Sequence, residues 1–473
     1  MNNKKFYKIE EIEALGIEEV QKLYKEYINP NQTKIFSALP FGNEIFNKAE
    51  GVFMYTSNGK KILDFTGGLG VLGLGHNHPE ILKARLDFQK NKRVEVHKII
   101  FSKYMAVLSN NLSYLLPDNL KKSFFLNSGA EAVEAAIKVC FKSYSKKRKF
   151  ILHSDRSYHG KLIGSGSISG SYFKENQFPI MENCVSYKFN DTLDLENKLT
   201  DLSNKEGVYS IIVEPFSAST LEPVSNEFMN KLFELKKKYD FRIIFDEVFT
   251  GFYKSEKMFY FQNFVNKIPD VLCLSKTLGG GKSSISSLIV DDDIYKKAYN
   301  KINETFLHTT TYNGFGEESI TALAALNIIS EKNFEKKVSN VSKLLKNNLK
   351  KIKEDHKDKI EVIKGNGILN GIVFKSYISE LGSLVEKIPI GSIKDKSSFL
   401  KKITATAVSA ELYEKYNILT SINDSSFSDH LCVSPSLVVS EENIEYFFKS
   451  LDEVLKKNVN LKSLSVIINF LKS

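Results

Sequence analysis

Six short apolar runs between Ser123 and Asp291 restrict the fold of this chain more than any other feature: SFFLN (123–127), KFILHS (149–154), VYSIIVEP (208–215), FRIIFDE (241–247), DVLCLSK (270–276) and SSLIVD (286–291). Each is too short for a stable helix and too evenly apolar for a strand with one face in water. Two of the intervening segments, GAEAVEAAIKVCFKSY and NEFMNKLFELKKKYD, have helical spacing. Buried strands alternating with helices predict an α/β fold with a mostly parallel sheet covered on both faces. Upstream, GVFMYTSNGKKILDF carries the turn signal SNGK between two β-prone runs and predicts a hairpin. Beyond about Ser330 the chain becomes lysine-rich around a β-like GILNGIVF, which fits a smaller α+β domain. The expected division is an N-terminal segment, 1–60, that contributes to the small domain, a large domain, 61–328, and a C-terminal small domain, 329–473. A chain of 473 residues accommodates both domains, and no internal repeat is visible.

Composition narrows the function classes. The formal net charge is +10, but the lysines are interspersed with glutamate and asparagine, as in FEKKVSNVSKLLKNNLKKIKEDHKDK. No basic stripe interleaved with aromatics suggests a nucleic-acid partner, so a solvated surface is expected. No apolar run is long enough for a transmembrane helix, and MNNKKFYKIEEIEALGIEEV has no apolar signal core, so a cytoplasmic protein is expected. The four cysteines are dispersed and form no CxxC, which argues against a disulfide framework or a zinc site. At the C-terminus Leu461, Leu464, Ile468 and Leu471 fall on one helical face. An extra helix packed on the small domain is expected there, with docking to a partner or a membrane as the alternative.

Ligands of open α/β sheets bind beyond the carboxyl ends of the strands. Here those ends read Asn127-Ser128-Gly129, Glu214-Pro215, Asp246-Glu247 and Ser275-Lys276. A lysine beside an apolar pocket is pushed toward the free amine, a nucleophile that forms Schiff bases with carbonyls, including the aldehyde of pyridoxal 5′-phosphate. That cofactor also needs an anion site, which the helix start at Ser128-Gly129-Ala130 offers through backbone N–H groups and its dipole. It needs a carboxylate against its ring nitrogen, which Asp246 offers, and an aromatic face, which Tyr158 of SYHGK offers. Each signal has a plainer reading. Ser128 and Glu131 make a capping box, Asp246 could cap a turn, and Lys276 could be a snorkelling surface residue. The ordered set points to the site.

In order, LDFTGGLGVLGLGHNHPEI, FFLNSGAEAVEAAIKV, SYHGK, IIFDEVFTGF, PDVLCLSKTLGGG and HTTTY resemble the motif string of the class III, pyridoxal-phosphate-dependent aminotransferases. The resemblance runs from about residue 50 to 330 and weakens toward 450, and it looks most like the putrescine and ornithine branch. It implies the aspartate-aminotransferase-like fold of pyridoxal-phosphate-dependent transferases. It also implies Lys276 as the Schiff-base lysine, Asp246 as partner of the ring nitrogen, Gly129 and Ala130 on the phosphate, and Tyr158 and Val248 on the two ring faces. Ser128, His159 and Glu214 complete the expected cofactor-binding set. Thr311 of HTTTY matches a phosphate-binding threonine that the family takes from the neighbouring subunit, so a homodimer is implied. The implied substrates are a small amine and a carbonyl compound. Racemases, aminomutases and phospho-lyases share the lysine and aspartate and remain alternatives, as does an inactive scaffold.

The departures bear on the substrate. EPFSAST has Ser219 where the family commonly has glutamate, and CVSPSL has Cys432 where it commonly has the arginine that grips an α-carboxylate. Both halves of that gate are missing together. Phe249 replaces a glutamine, while NGFGEES and FYKSEK replace the family's G-G-N-P-L and F-G-R-T-G. An amine of terminal or amino-alcohol type is therefore expected as donor.

Overall fold

The computed structural model describes residues 5–144, 148–312, 314–375, 396–422 and 429–457. The helix expected at 458–473 lies outside them. Fifteen strands are described: β1 Phe46–Glu50, β2 Phe53–Thr56, β3 Lys61–Asp64, β4 Leu120–Leu126, β5 Phe150–Ser154, β6 Cys184–Tyr187, β7 Val208–Val213, β8 Arg242–Asp246, β9 Val271–Leu274, β10 Ser286–Asp291, β11 Ile360–Asn366, β12 Leu369–Phe374, β13 Ile418–Leu419, β14 Ser421–Ile422 and β15 His430–Val433.

Seven of them form one sheet in the order β4-β10-β9-β8-β7-β5-β6. The β6–β5, β5–β7, β7–β8 and β8–β9 pairs are parallel, while β10 runs antiparallel to both β9 and β4. The reversal at β10 follows from the connection. Lys276 to Ile285 is a glycine-rich turn, far shorter than the crossover that a parallel neighbour requires. Every residue of β7, β8 and β9 is buried, as their largely apolar sequences demand. Their side chains divide by the period of two. Ile212, Ile244 and Cys273 pack under the helix Gly129–Lys142 with Val133 and Ile137, while Ile211, Val213, Phe245 and Leu272 join Phe228 and Leu232 of the helix Asn226–Tyr239 in the other layer.

The hairpin expected in the N-terminal segment is β2–β3, extended by β1. Its β3 pairs in parallel with β13, so chain from before residue 65 and after residue 417 shares a sheet. A third sheet, β11-β12-β15-β14, is antiparallel. The tip between β11 and β12 returns to the large sheet's loops: a Cβ at Gly367 would lie 2.5 Å from the Lys254 carbonyl oxygen. Among the described residues no helix is long and apolar enough to cross a membrane. Among the described residues there is no disulfide and no cluster of metal-ligating side chains.

Candidate active site

Strands β7, β8 and β9 end one residue before, at and two residues before Glu214, Asp246 and Lys276. The apolar runs of the sequence extend past the ends of β7 and β9. The side chains that follow the last ladder bonds are free to turn toward one another across the sheet's carboxyl edge.

Asp246 is the hub. Its Oδ2 lies 2.7 Å from Nδ1 of the fully buried His159, and its Oδ1 accepts the Val248 amide at 3.0 Å. Both carboxylate oxygens are thus oriented by the protein. Glu214, equally buried, accepts the Tyr158 amide at 2.9 Å and the Ala218 amide at 3.0 Å. Burial pushes its carboxyl up to about 7. His159 opposes that shift and the Asp246 charge adds to it. Glu247, the other acid of this strand end, turns away. Its oxygens accept the amides of Tyr260 and Phe261 and the Thr250 hydroxyl at 2.6–2.9 Å, so it caps the 260–263 turn.

Lys276 opens the turn after β9 with a φ of +53°. That left-handed conformation costs a side-chain-bearing residue ~1–2 kcal/mol and aims the amine back over the sheet edge. Its Nζ donates to the Leu69 carbonyl at 3.0 Å and sits 4.4 Å above the Phe249 ring. Burial lowers the amine to about 8, while the Asp246 and Glu214 charges pull the other way. At neutral pH a useful fraction of this lysine is therefore free base. An unperturbed lysine would have almost none.

The helix Gly129–Lys142 begins directly after β4. Ser128 Oγ accepts the Glu131 amide, and Glu131 Oε2 accepts the Ser128 amide at 2.8 Å, which is the expected capping box. The Gly129 and Ala130 amides have no acceptor among the described residues, so they point outward as an anion site. Glycine is required at 129, where a Cβ would come within 2.8 Å of Val248. It is also required at 160, where φ is +125° and a Cβ would meet Ala130 at 2.6 Å. These two contacts seat Val248 and the Ser157–Gly160 loop on the helix start. The Tyr158 side chain is 45% exposed, so its ring face is available for stacking. Thr311 stands apart. It lies in an exposed segment held by Lys98 to Thr309 at 2.7 Å and by Lys138 to His308 at 3.0 Å, and no hydrogen bond among the described residues links it to the strand-end cluster.

The set fits pyridoxal 5′-phosphate. It presents a lysine partly shifted to the free amine, a carboxylate fixed by two donors, and a helix N-terminus with two unengaged amides. Sequence reasoning missed what supports them. The His159–Asp246 pair and the Leu69 carbonyl beside Lys276 join residues 87 and 207 apart in sequence, and no local pattern announces them.

At the gate, Ser219 is buried and Cys432 on β15 pairs with Gly371 and Ser421. Lys364, opposite Gly371 on β11, is a basic side chain on this face, and it pairs with Glu222 at 3.3 Å.

The family model for class III aminotransferases matches residues 40–455. Among solved structures, the chain is similar to the adenosylmethionine-8-amino-7-oxononanoate aminotransferase of Methanocaldococcus jannaschii, at 26% identity and a TM-score of 0.78 over 93% of this chain and 99% of that one. The ornithine aminotransferase of Toxoplasma gondii matches at 20% identity and 0.73 over 88% and 90%. The ornithine δ-aminotransferase of Plasmodium falciparum matches at 22% and 0.72 over 93% and 98%.

Proposed function

The chain belongs to the class III aminotransferases, and from that premise we propose that it moves an amino group from a terminal amine or amino-alcohol-like donor to a carbonyl acceptor, with Lys276 as the reacting amine. Its fold is that of the pyridoxal-phosphate-dependent transferases, and it is a pyridoxal-phosphate-dependent aminotransferase. When bound, pyridoxal 5′-phosphate supplies an aldehyde that takes up amines and a ring that spreads the charge left when a proton departs from the neighbouring carbon.

The protein's share of the work falls to named side chains. Lys276, with its amine lowered to about 8, is the group that accepts and returns that proton. Asp246 keeps the ring nitrogen protonated, and His159 fixes the carboxylate so that it does not reorganise during the reaction. The Gly129 and Ala130 amides and the helix dipole hold the phosphate, with Ser128 capping the same turn. Tyr158 and Val248 enclose the ring, and Glu214 braces the Tyr158 backbone.

A homodimer is part of the proposal, with Thr311 serving the neighbouring subunit's phosphate. Its support is the exposed apolar surface around that segment: Ile99 is 85% exposed, Phe101 105%, Phe306 70% and Tyr312 57%. The 94–101 and 302–312 segments are tied together by the Lys98–Thr309 bond, so this is one patch of the kind that marks a subunit contact. The division at about residues 60 and 328 and a cytoplasmic location with reduced cysteines complete the reading.

The observation that carries the proposal is the left-handed Lys276 at the sheet's carboxyl edge, within the field of the Asp246 carboxylate that His159 holds. An ultraviolet–visible titration tests it. Adding a terminal amine without acceptor should bleach the visible cofactor band of the holoenzyme. A band unmoved by every amine tried would refute the assignment.

A further inference from the structure

A second lysine, Lys254, is fully buried in the segment that connects the candidate site to the third sheet. Its Nζ reaches the Gly70 carbonyl at 3.2 Å and Thr277 Oγ1 at 3.0 Å, and Thr277 Oγ1 reaches the same carbonyl at 3.2 Å. The three groups close a ring of hydrogen bonds. Thr277 follows Lys276 directly, and Gly70 follows Leu69, whose carbonyl takes the Lys276 amine. The backbone of Lys254 is held as well, because its carbonyl accepts the Ile368 amide at 3.0 Å.

The number of partners is informative. A neutral amine has two N–H donors, and Lys254 has two acceptors. An ammonium has three donors, and the third would find no acceptor and no carboxylate within ion-pair reach among the described residues around this fully buried side chain. The charged groups whose fields reach Lys254 are Lys276, which disfavours a second charge, and Glu247, which favours one but is already engaged by three donors. Burial, the largest influence, also disfavours the charge.

We propose that Lys254 is a positioning residue for Lys276, a buried neutral amine that locks the Thr277 turn to the Gly67–Gly70 loop and so holds the reacting amine in register. The proposal rests on Lys276 being the reacting amine. Methionine at 254 keeps the length and apolar stem of the side chain and strands nothing, since the Thr277 hydroxyl can still donate to Gly70.

The test uses Lys254→Met and Lys254→Arg in the full-length chain. The Met variant should melt no lower than wild type, yet lose about tenfold in kcat with a smaller change in KM, because misplacing a reacting group by a fraction of an ångström costs rate rather than affinity. A second readout is independent of turnover. In the cofactor-free chain, acylation of Lys276 by a water-soluble amine reagent, mapped by mass spectrometry, should keep its wild-type pH midpoint in the Met variant. It should move to lower pH in the Arg variant, where a permanent cation joins Asp246 and Glu214 around the amine. Wild-type kcat in Lys254→Met would overturn the positioning role. A rise in the labelling midpoint in that variant would show that Lys254 is charged, and a large fall in melting temperature would make its role structural. If Lys276 itself is misassigned, a different lysine will carry the cofactor in the wild-type enzyme, whatever Lys254 does.

Discussion

Replacing Lys276 with methionine should make the cofactor-free protein more stable at neutral pH. The folded chain lowers this amine from 10.5 to about 8, chiefly through burial. At ~1.4 kcal/mol per pKa unit, holding the charged amine in place costs the fold about 3–4 kcal/mol. Methionine keeps most of the stem's packing but gives up the hydrogen bond to Leu69 and the contact with the Phe249 ring, together worth ~1 kcal/mol. The expected net gain is about 2–3 kcal/mol. The sign follows from proton counting. Between pH 8 and 10.5 the unfolded chain holds a proton on this lysine that the folded chain has released, so wild-type stability rises with pH through that window. The penalty is complete below about 8 and absent above about 10.5, so the advantage of the variant should shrink across that range and vanish or reverse at its alkaline end. Urea unfolding of both cofactor-free proteins, at about pH 6.5 and again near pH 10.5, measures the gap directly. A variant no more stable than wild type at the lower pH, or a gap that does not change with pH, would refute the reasoning.

Other perturbations reach different parts of the site. Asp246→Asn should lower kcat ~10²–10³-fold, since an amide cannot hold the ring nitrogen protonated and its contact with His159 Nδ1 loses charge assistance; turnover near wild type would reduce Asp246 to a turn cap. With Cys432 and Ser219 at the gate, acceptors that lack an α-carboxylate should outperform 2-oxoglutarate in a panel compared by kcat/KM. Should 2-oxoglutarate prevail, Lys364, released from Glu222, is the cation to replace next. Phe101→Asp should weaken self-association in sedimentation experiments and lower activity with it; a wild-type protein that sediments as a monomer at micromolar concentration would remove the proposed role of Thr311.

The large sheet was legible because its central strands are buried on both faces. Continuous apolar runs such as VYSIIV and RIIF have few other uses in a chain of mixed composition. The short strands β6, β13 and β14 were not legible, since two to four residues carry no periodicity and exist only because a longer neighbour pairs with them. The antiparallel direction of β10 was implicit in the short turn before it, but the apolar pattern of a strand is the same in either direction. Within the site, Ser128, Glu214, Asp246 and Lys276 could be read because each lies at or just past a strand end or at a helix start. Lys254 could not. Its segment FYKSEK looks like solvated loop, and its burial arises from a carbonyl 184 residues earlier and a hydroxyl 23 residues later.

The central claim, that Lys276 is the amine that holds the cofactor, is tested most directly by borohydride reduction of the holoenzyme followed by proteolysis and mass spectrometry. The reduced cofactor should be found on the peptide containing Ser275, Lys276 and Thr277 and on no other lysine. Its recovery on Lys254, on any surface lysine, or on no peptide at all would contradict the account.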